Sequence, residues 1–254
     1  MILADDNFAT IVEAVREGRG ILDNIRKFLR YLLSTNMGEV LTVFLGVVGA
    51  GVIGLKGAGD VVVLPLLATQ LLWINLVTDS APALAIGVDA PTDDLMARTP
   101  RRSSDRVIDA RMWANVIQTG VVIAVVTLLT IDIYLPGGLI EGTYDVVAAR
   151  TAGFTVLVFT SLFTCFSARS ETASAFANLF VNPWLWGAVA LSVLLQVAVV
   201  NLGFLNLAFG TVPLAFDQWL LCVAMASLVL WFSELRKLVG RTWGRRNFAV
   251  RPGV

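Results

Sequence analysis

Histidine is absent from the 254 residues, and cysteine occurs only twice. Cys165 and Cys222 both sit inside apolar runs without CxxC or other ligand-like spacing, so they read as small buried residues and not as a thiolate metal centre or redox pair. Charge is scarce too. Only 15% of residues are charged, against about 25% in a soluble domain. There is no glycine-rich phosphate cradle, no secretory signal in the acidic N-terminus, no solenoid-type repeat and no low-complexity segment. The net charge is zero, and no nucleic-acid partner is expected.

What the chain has instead is apolar length. Hydrophobic residues make up 57% of it, with a mean hydropathy of +0.77. Charges cluster in residues 5–30, 89–111 and 234–251, leaving long stretches nearly free of them. Crossing a bilayer takes about 20 apolar residues in a helix. Six candidate spans follow, at 28–55, 63–88, 113–135, 152–168, 184–204 and 218–235, the fourth being the shortest. An even number puts both ends on one side. With the ends cytoplasmic, 17 of the 19 Lys and Arg lie inside, and only Lys56 and Arg150 fall outside; this matches the positive-inside bias.

Trp113, Tyr134, Trp184, Trp186, Trp219 and Trp231 fall near span ends, where such rings favour the interface. Ile11 to Arg30 shows helical apolar spacing and predicts a helix running straight into the first span, with Gly18 and Gly20 as weak points. Met1 to Asn7 ends on Asp5-Asp6-Asn7, which suits a loop or cap, and reads as the cut edge of a domain. The basic run Arg241–Arg246 with Arg251 is expected to rest on anionic head groups.

Two ionisable residues fall at mid-membrane, Glu39 and Asp79. Asp132 and Asp217 lie near span ends and read as solvated interfacial charges. The helix rise puts Glu39 roughly 13 Å and Asp79 roughly 15 Å from the same side. Asn36 shares a face with Glu39, and Asn75 and Thr78 share one with Asp79, at spacings of three and four. Pro82 has no N–H to offer the Thr78 carbonyl, which frees another oxygen. A broken helix with free carbonyls at the midplane is a way of building cation sites in membranes. The donors are all hard oxygen, suited to Ca²⁺, Na⁺, Mn²⁺ or Mg²⁺. Hydrogen-bonding glue between helices would account for a lone Asn or Thr, but not for two carboxylates at matched depth. Ser34, Thr35, Thr42 and Gln70 read as glue or lining.

The run Trp73-Ile74-Asn75-Leu76-Val77-Thr78-Asp79-Ser80-Ala81-Pro82-Ala83 resembles the sixth membrane helix of P-type cation ATPases of the calcium-pump class. Asn24-Ile25-Arg26-Lys27-Phe28-Leu29-Arg30-Tyr31-Leu32, with Ser34-Thr35-Asn36-Met37-Gly38-Glu39-Val40, resembles the fifth helix and its stalk. Met1 to Phe8 is similar to the last segment of the phosphorylation domain. The resemblance implies that Asn36, Glu39, Asn75, Thr78 and Asp79 are ion ligands. Asn at 75, where sodium–potassium pumps tend to carry Asp, favours a calcium-like pump, with Mn²⁺ or Na⁺ as alternatives. No Cys-Pro-Cys motif of the heavy-metal class is present. Ser161 stands where two-site calcium pumps place a further acidic ligand on the eighth helix, which argues against a second calcium site.

The expected fold is thus an all-α membrane protein, a six-helix bundle with a helical cytoplasmic stalk. Residues 1–27 would hold the end of the phosphorylation domain and the stalk, 28–88 the two ion-site helices, 89–112 a cytoplasmic loop, 113–238 four further helices, and 239–254 a basic cytoplasmic tail. The family's Asp-Lys-Thr-Gly-Thr and Thr-Gly-Glu-Ser motifs do not occur. By the resemblance, ATP and Mg²⁺ belong to the complete pump, whose N-terminal half (other membrane helices, phosphorylation, nucleotide and actuator domains) would be the partner of this chain in a plasma membrane. Alone, the chain is expected neither to hydrolyse ATP nor to pump. The rival expectations are a non-enzymatic membrane protein that binds cations or assembles with a partner, and a pump remnant without function.

Overall fold

The computed structural model describes residues 8–55, 63–89, 96, 107–170, 173–176 and 179–249, with side chains given for those from 9 to 242. The capping segment before residue 8, Lys56, most of the 89–112 loop and the side chains of the basic tail beyond Thr242 lie outside the described residues. The elements are α1 (Phe8–Val48), α2 (Ala68–Trp73), a π-helical turn (Ile74–Thr78), α3 (Ser80–Gly87), α4 (Ala110–Tyr134), α5 (Val146–Ala168), α6 (Pro183–Asn201), α7 (Gly203–Phe209) and α8 (Phe216–Ala249). No strand occurs among the described residues. The protein is an all-helical membrane bundle.

Five of these helices, α1, α4, α5, α6 and α8, are long and apolar enough to cross a bilayer. The predicted second span is different. It is split into α2, the π turn and α3, so no single helix there has the length. As anticipated, the stalk runs unbroken into the first span: α1 has 41 residues, about 60 Å of helix. Gly18 causes no break, and a Cβ added there would meet no other part of the bundle within 4 Å. The fourth span is longer than the expected 152–168. α5 starts at Val146, where Asp145 caps it by accepting the Ala148 N–H, so Arg150 lies inside the helix and donates to the Leu64 carbonyl. A single interior arginine had masked the first turns.

α5 is the centre of the bundle, buried on most sides and packed against α1, α4, α6 and α8. α1 and α4 cross closely. A Cβ on Gly38 would meet the Ile123 side chain at 2.6 Å, and one on Gly120 would meet Met37 at 2.6 Å. Small residues let membrane helices approach in this way. At the stalk end, Arg26 of α1 pairs at 2.9 Å with Asp109, the N-cap of α4. The Met112 N–H that Asp109 accepts, with help from Arg26, holds its carboxyl below the ordinary range.

Two interfacial assignments are corrected. Asp132 is not solvated: it is 0% exposed, and its two oxygens accept the N–H groups of Leu139 and Ile140 at 2.8 and 2.9 Å. It builds the turn that follows α4. Tyr134 is likewise buried, against Tyr144. Trp113, Trp184 and Trp231 do face outward, and Asp217 is exposed, as expected. Both cysteines are free and buried. Asp132→Ala would leave two N–H groups without their acceptor, and a loss of about 2–3 kcal/mol is expected, read as a lower melting temperature in detergent.

Candidate functional site

The site begins with the break in the second predicted span. α2 starts at Ala68, where the Gln70 side chain turns back to accept the Leu67 N–H at 3.0 Å. Gln70 also donates to the Phe209 carbonyl of α7, the gluing role its position suggested. The helix then widens: the Asp79 N–H reaches Ile74, five residues back, at 2.9 Å. π turns of this kind frequently mark functional sites. The widening frees carbonyls. That of Asn75 accepts from the Ser80 hydroxyl at 3.2 Å. That of Thr78, which Pro82 cannot serve, accepts from Ser192 of α6 at 3.3 Å.

Asp79 sits at the junction of the π turn and α3 and is 1% exposed; Glu39, on α1, is 5% exposed. Asn75 joins the two helices, its amide donating to Glu39 Oε2 at 2.5 Å and to Leu71 O at 3.0 Å. Tyr31 of α1 donates its hydroxyl to Asp79 Oδ1 at 3.0 Å. The Thr35 and Ser161 hydroxyls lie beside the same carboxylate, although Ser161 Oγ makes no hydrogen bond of acceptable geometry. The two carboxylates are near enough to feel each other's charge. On each of them one buried oxygen, Glu39 Oε1 and Asp79 Oδ2, has no hydrogen-bond partner.

Of the five residues read from the sequence, the fold brings Glu39, Asn75 and Asp79 together. Thr78 is buried between them in sequence, with its hydroxyl turned to the Ile74 carbonyl at 2.9 Å. Asn36 is half-buried and donates to Leu32 O on its own helix at 2.8 Å. Two participants, Tyr31 and Ser192, lie outside those five. Tyr31 lies at spacings of four from Thr35 and eight from Glu39, so one helical face carried that signal. Ser192, which serves the Thr78 carbonyl, stands out as a polar residue in the apolar α6.

Two neighbouring buried carboxyl groups, each with an unsatisfied oxygen, form an expensive arrangement that a bound cation would relieve. Among the described residues, no group of three or more His, Cys, Asp or Glu side chains comes together. The donors are therefore two carboxylates supplemented by amide, hydroxyl and carbonyl oxygen, which is hard-cation chemistry. The arrangement is open on one side, since Asn75, Leu72, Leu76 and Val40 are exposed there.

Comparisons with known proteins give the chain's family. The chain is 38% identical, over 90% of its length, to a calcium-transporting ATPase of Bacillus subtilis (strain 168), covering 24% of that protein. It is 32% identical, over 99% of its length, to the endoplasmic reticulum-type calcium-transporting ATPase 4 of Arabidopsis thaliana, covering 27% of it. It is 34% identical, over 94% of its length, to calcium-transporting ATPase 1 of Bacillus cereus (strain ATCC 10987 / NRS 248), again covering 27%. The chain thus spans about a quarter of the length of the curated relatives it matches. The family described as cation transporting ATPase, C-terminus, matches residues 63–239, from the approach to α2 into α8. The chain belongs to that family of cation-transporting ATPase C-terminal membrane regions.

Proposed function

We propose that this chain is the ion-carrying membrane portion of a calcium-transporting P-type pump, with Glu39 and Asp79 as its charged ligands and Asn36, Asn75 and Thr78 as neutral ones. The observation that carries the reading is the joining of two helices at one polar point. Asn75 bonds Glu39 across the α1–π-turn contact, and both carboxylates keep an unpartnered buried oxygen. For Asn36 and Thr78, rotation of the side chain away from the carbonyl each now serves would present its oxygen. Calcium is favoured over Mn²⁺ and Na⁺ by the names of the relatives; the hard oxygen set suits all three. The open side at Asn75 is where a helix from the rest of the pump would complete the shell.

In this reading ATP and Mg²⁺ act in the other domains of the pump, and the force reaches the site through α1. Movement of the stalk would change the distance between Glu39 and Asp79. Affinity then differs between two states, as coupling of distant sites requires. The chain lies in the plasma membrane with both termini cytoplasmic. Support for that orientation comes from 17 of the 19 Lys and Arg falling on one side.

Asn75→Ala tests the carrying observation. In sealed vesicles containing the complete pump, it is expected to raise half-saturating calcium by about tenfold, the equivalent of about 1.4 kcal/mol. Uptake indistinguishable from the unmodified pump would remove the reading.

A further inference from the structure

The far end of α3 is held by a buried polar knot that takes no part in the ion site described above. Asp89, just past the helix, is 3% exposed. Its carboxylate accepts two bonds from the Arg169 guanidinium, at 3.0 and 2.9 Å, and pairs with Lys27 of α1 at 3.3 Å. Asn182, the N-cap of α6, donates to the same carboxylate at 3.0 Å and to the Ala85 carbonyl at 2.9 Å. Asn24 of α1 donates to the carbonyls of Gly87 and Asp89, at 3.2 and 2.9 Å. The last carbonyls of a helix have no partner within it, and here two side-chain amides from other helices supply partners.

α3 has only eight residues, and the π turn separates it from α2. Its N-terminal end carries Asp79. A helix of that length moves as one rigid piece, so whatever fixes one end sets the position of the other. We infer that Asp89, with Arg169 and Asn182 from the connection between α5 and α6, positions the Asp79 carboxylate by clamping the opposite end of its short helix to α1 and α6. The connection between α5 and α6 is then more than a tether. Arg169 and Lys27 share one carboxylate, so displacement of the stalk at Asn24 and Lys27 pulls on α3 directly, while Asn182 keeps the reference point on α6.

The inference rests on the reading of Asp79 as an ion ligand, and the experiment separates the two. Calcium uptake by vesicles carrying the complete pump is measured for Asp89→Asn, Asn182→Ser and Asp79→Asn, together with the melting temperature in detergent. Asn182→Ser keeps a hydroxyl to cap α6 at the Leu185 N–H and loses the long amide. Asp89→Asn and Asn182→Ser are each expected to raise half-saturating calcium by about tenfold with the maximal rate changed by less than about twofold, the signature of a displaced ligand. Adding Arg169→Gln to Asp89→Asn removes a cation along with the anion; it is expected to restore the melting temperature without restoring affinity. Unchanged affinity in both single variants, with transport abolished in Asp79→Asn, overturns the clamp and leaves the ion site standing. Normal transport in Asp79→Asn overturns the ion-site reading and the clamp with it. If Asp89→Asn does not fold, Asn182→Ser decides alone.

Discussion

Asp79→Asn in the complete pump is expected to abolish calcium uptake while the protein still folds and reaches the membrane. The substitution keeps the shape and one oxygen, so the Tyr31 hydroxyl retains an acceptor where it now meets Asp79 Oδ1. What goes is the charge. At an effective dielectric of about 20, a unit charge about 4 Å from a divalent ion contributes roughly 8 kcal/mol of attraction. Most of that is offset by desolvation of the ion and the carboxylate. If one third survives, about 2.7 kcal/mol remains, which is about 100-fold in affinity, so that uptake is lost at calcium concentrations near half-saturation of the unmodified pump. The measurement is calcium accumulation in sealed vesicles against free calcium, with equal amounts of protein. Folding should not suffer, because Asn is isosteric with Asp and spares the fold a buried carboxyl group. Wild-type accumulation would remove Asp79 from the ligand set.

A large effect on stability is expected at the crossing of α1 and α4. In Gly38→Val, the new Cβ would stand 2.6 Å from Ile123 Cγ2 and 2.8 Å from Ile123 Cβ. The second of these atoms is fixed to the α4 backbone, so no rotamer change of Ile123 removes the clash, and the helices must separate. Overpacking of this kind costs typically about 1–3 kcal/mol. The crossing also holds α1, and with it Glu39, in register with the bundle, so calcium affinity should fall with stability. Ile123→Ala in the Gly38→Val background removes the colliding atoms beyond Cβ and is expected to recover part of the loss, although Ile123→Ala alone costs about 2–5 kcal/mol. Thermal unfolding in detergent reads all three. Strictly additive losses would show that the two side chains are not in conflict.

The carboxylates of the site were legible because a charged residue in a long apolar run stands out wherever the helix points. Their partners were less so. Thr35 reads as lining from its position, and it lies beside Asp79; Tyr31 shows in the sequence only as one position of the stalk motif. Asp132 shows the opposite failure. A carboxylate near a span end resembles an interfacial charge in sequence, and only the return of the chain at Leu139 and Ile140 makes it an internal cap.

From the sequence by itself came the helical membrane class, the long continuous stalk and first span, and the level of Glu39 and Asp79. Each depends on spacing along a single helix, where a fixed rise per residue turns position into distance. Tertiary structure alone decided the π turn in the second span, the bond between Asn75 and Glu39, the service of the Thr78 carbonyl by Ser192, and the knot around Asp89. Those features join residues from 36 to 114 positions apart or widen the helix against its regular ladder, and which surfaces meet is set by packing, to which one-dimensional periodicity is blind.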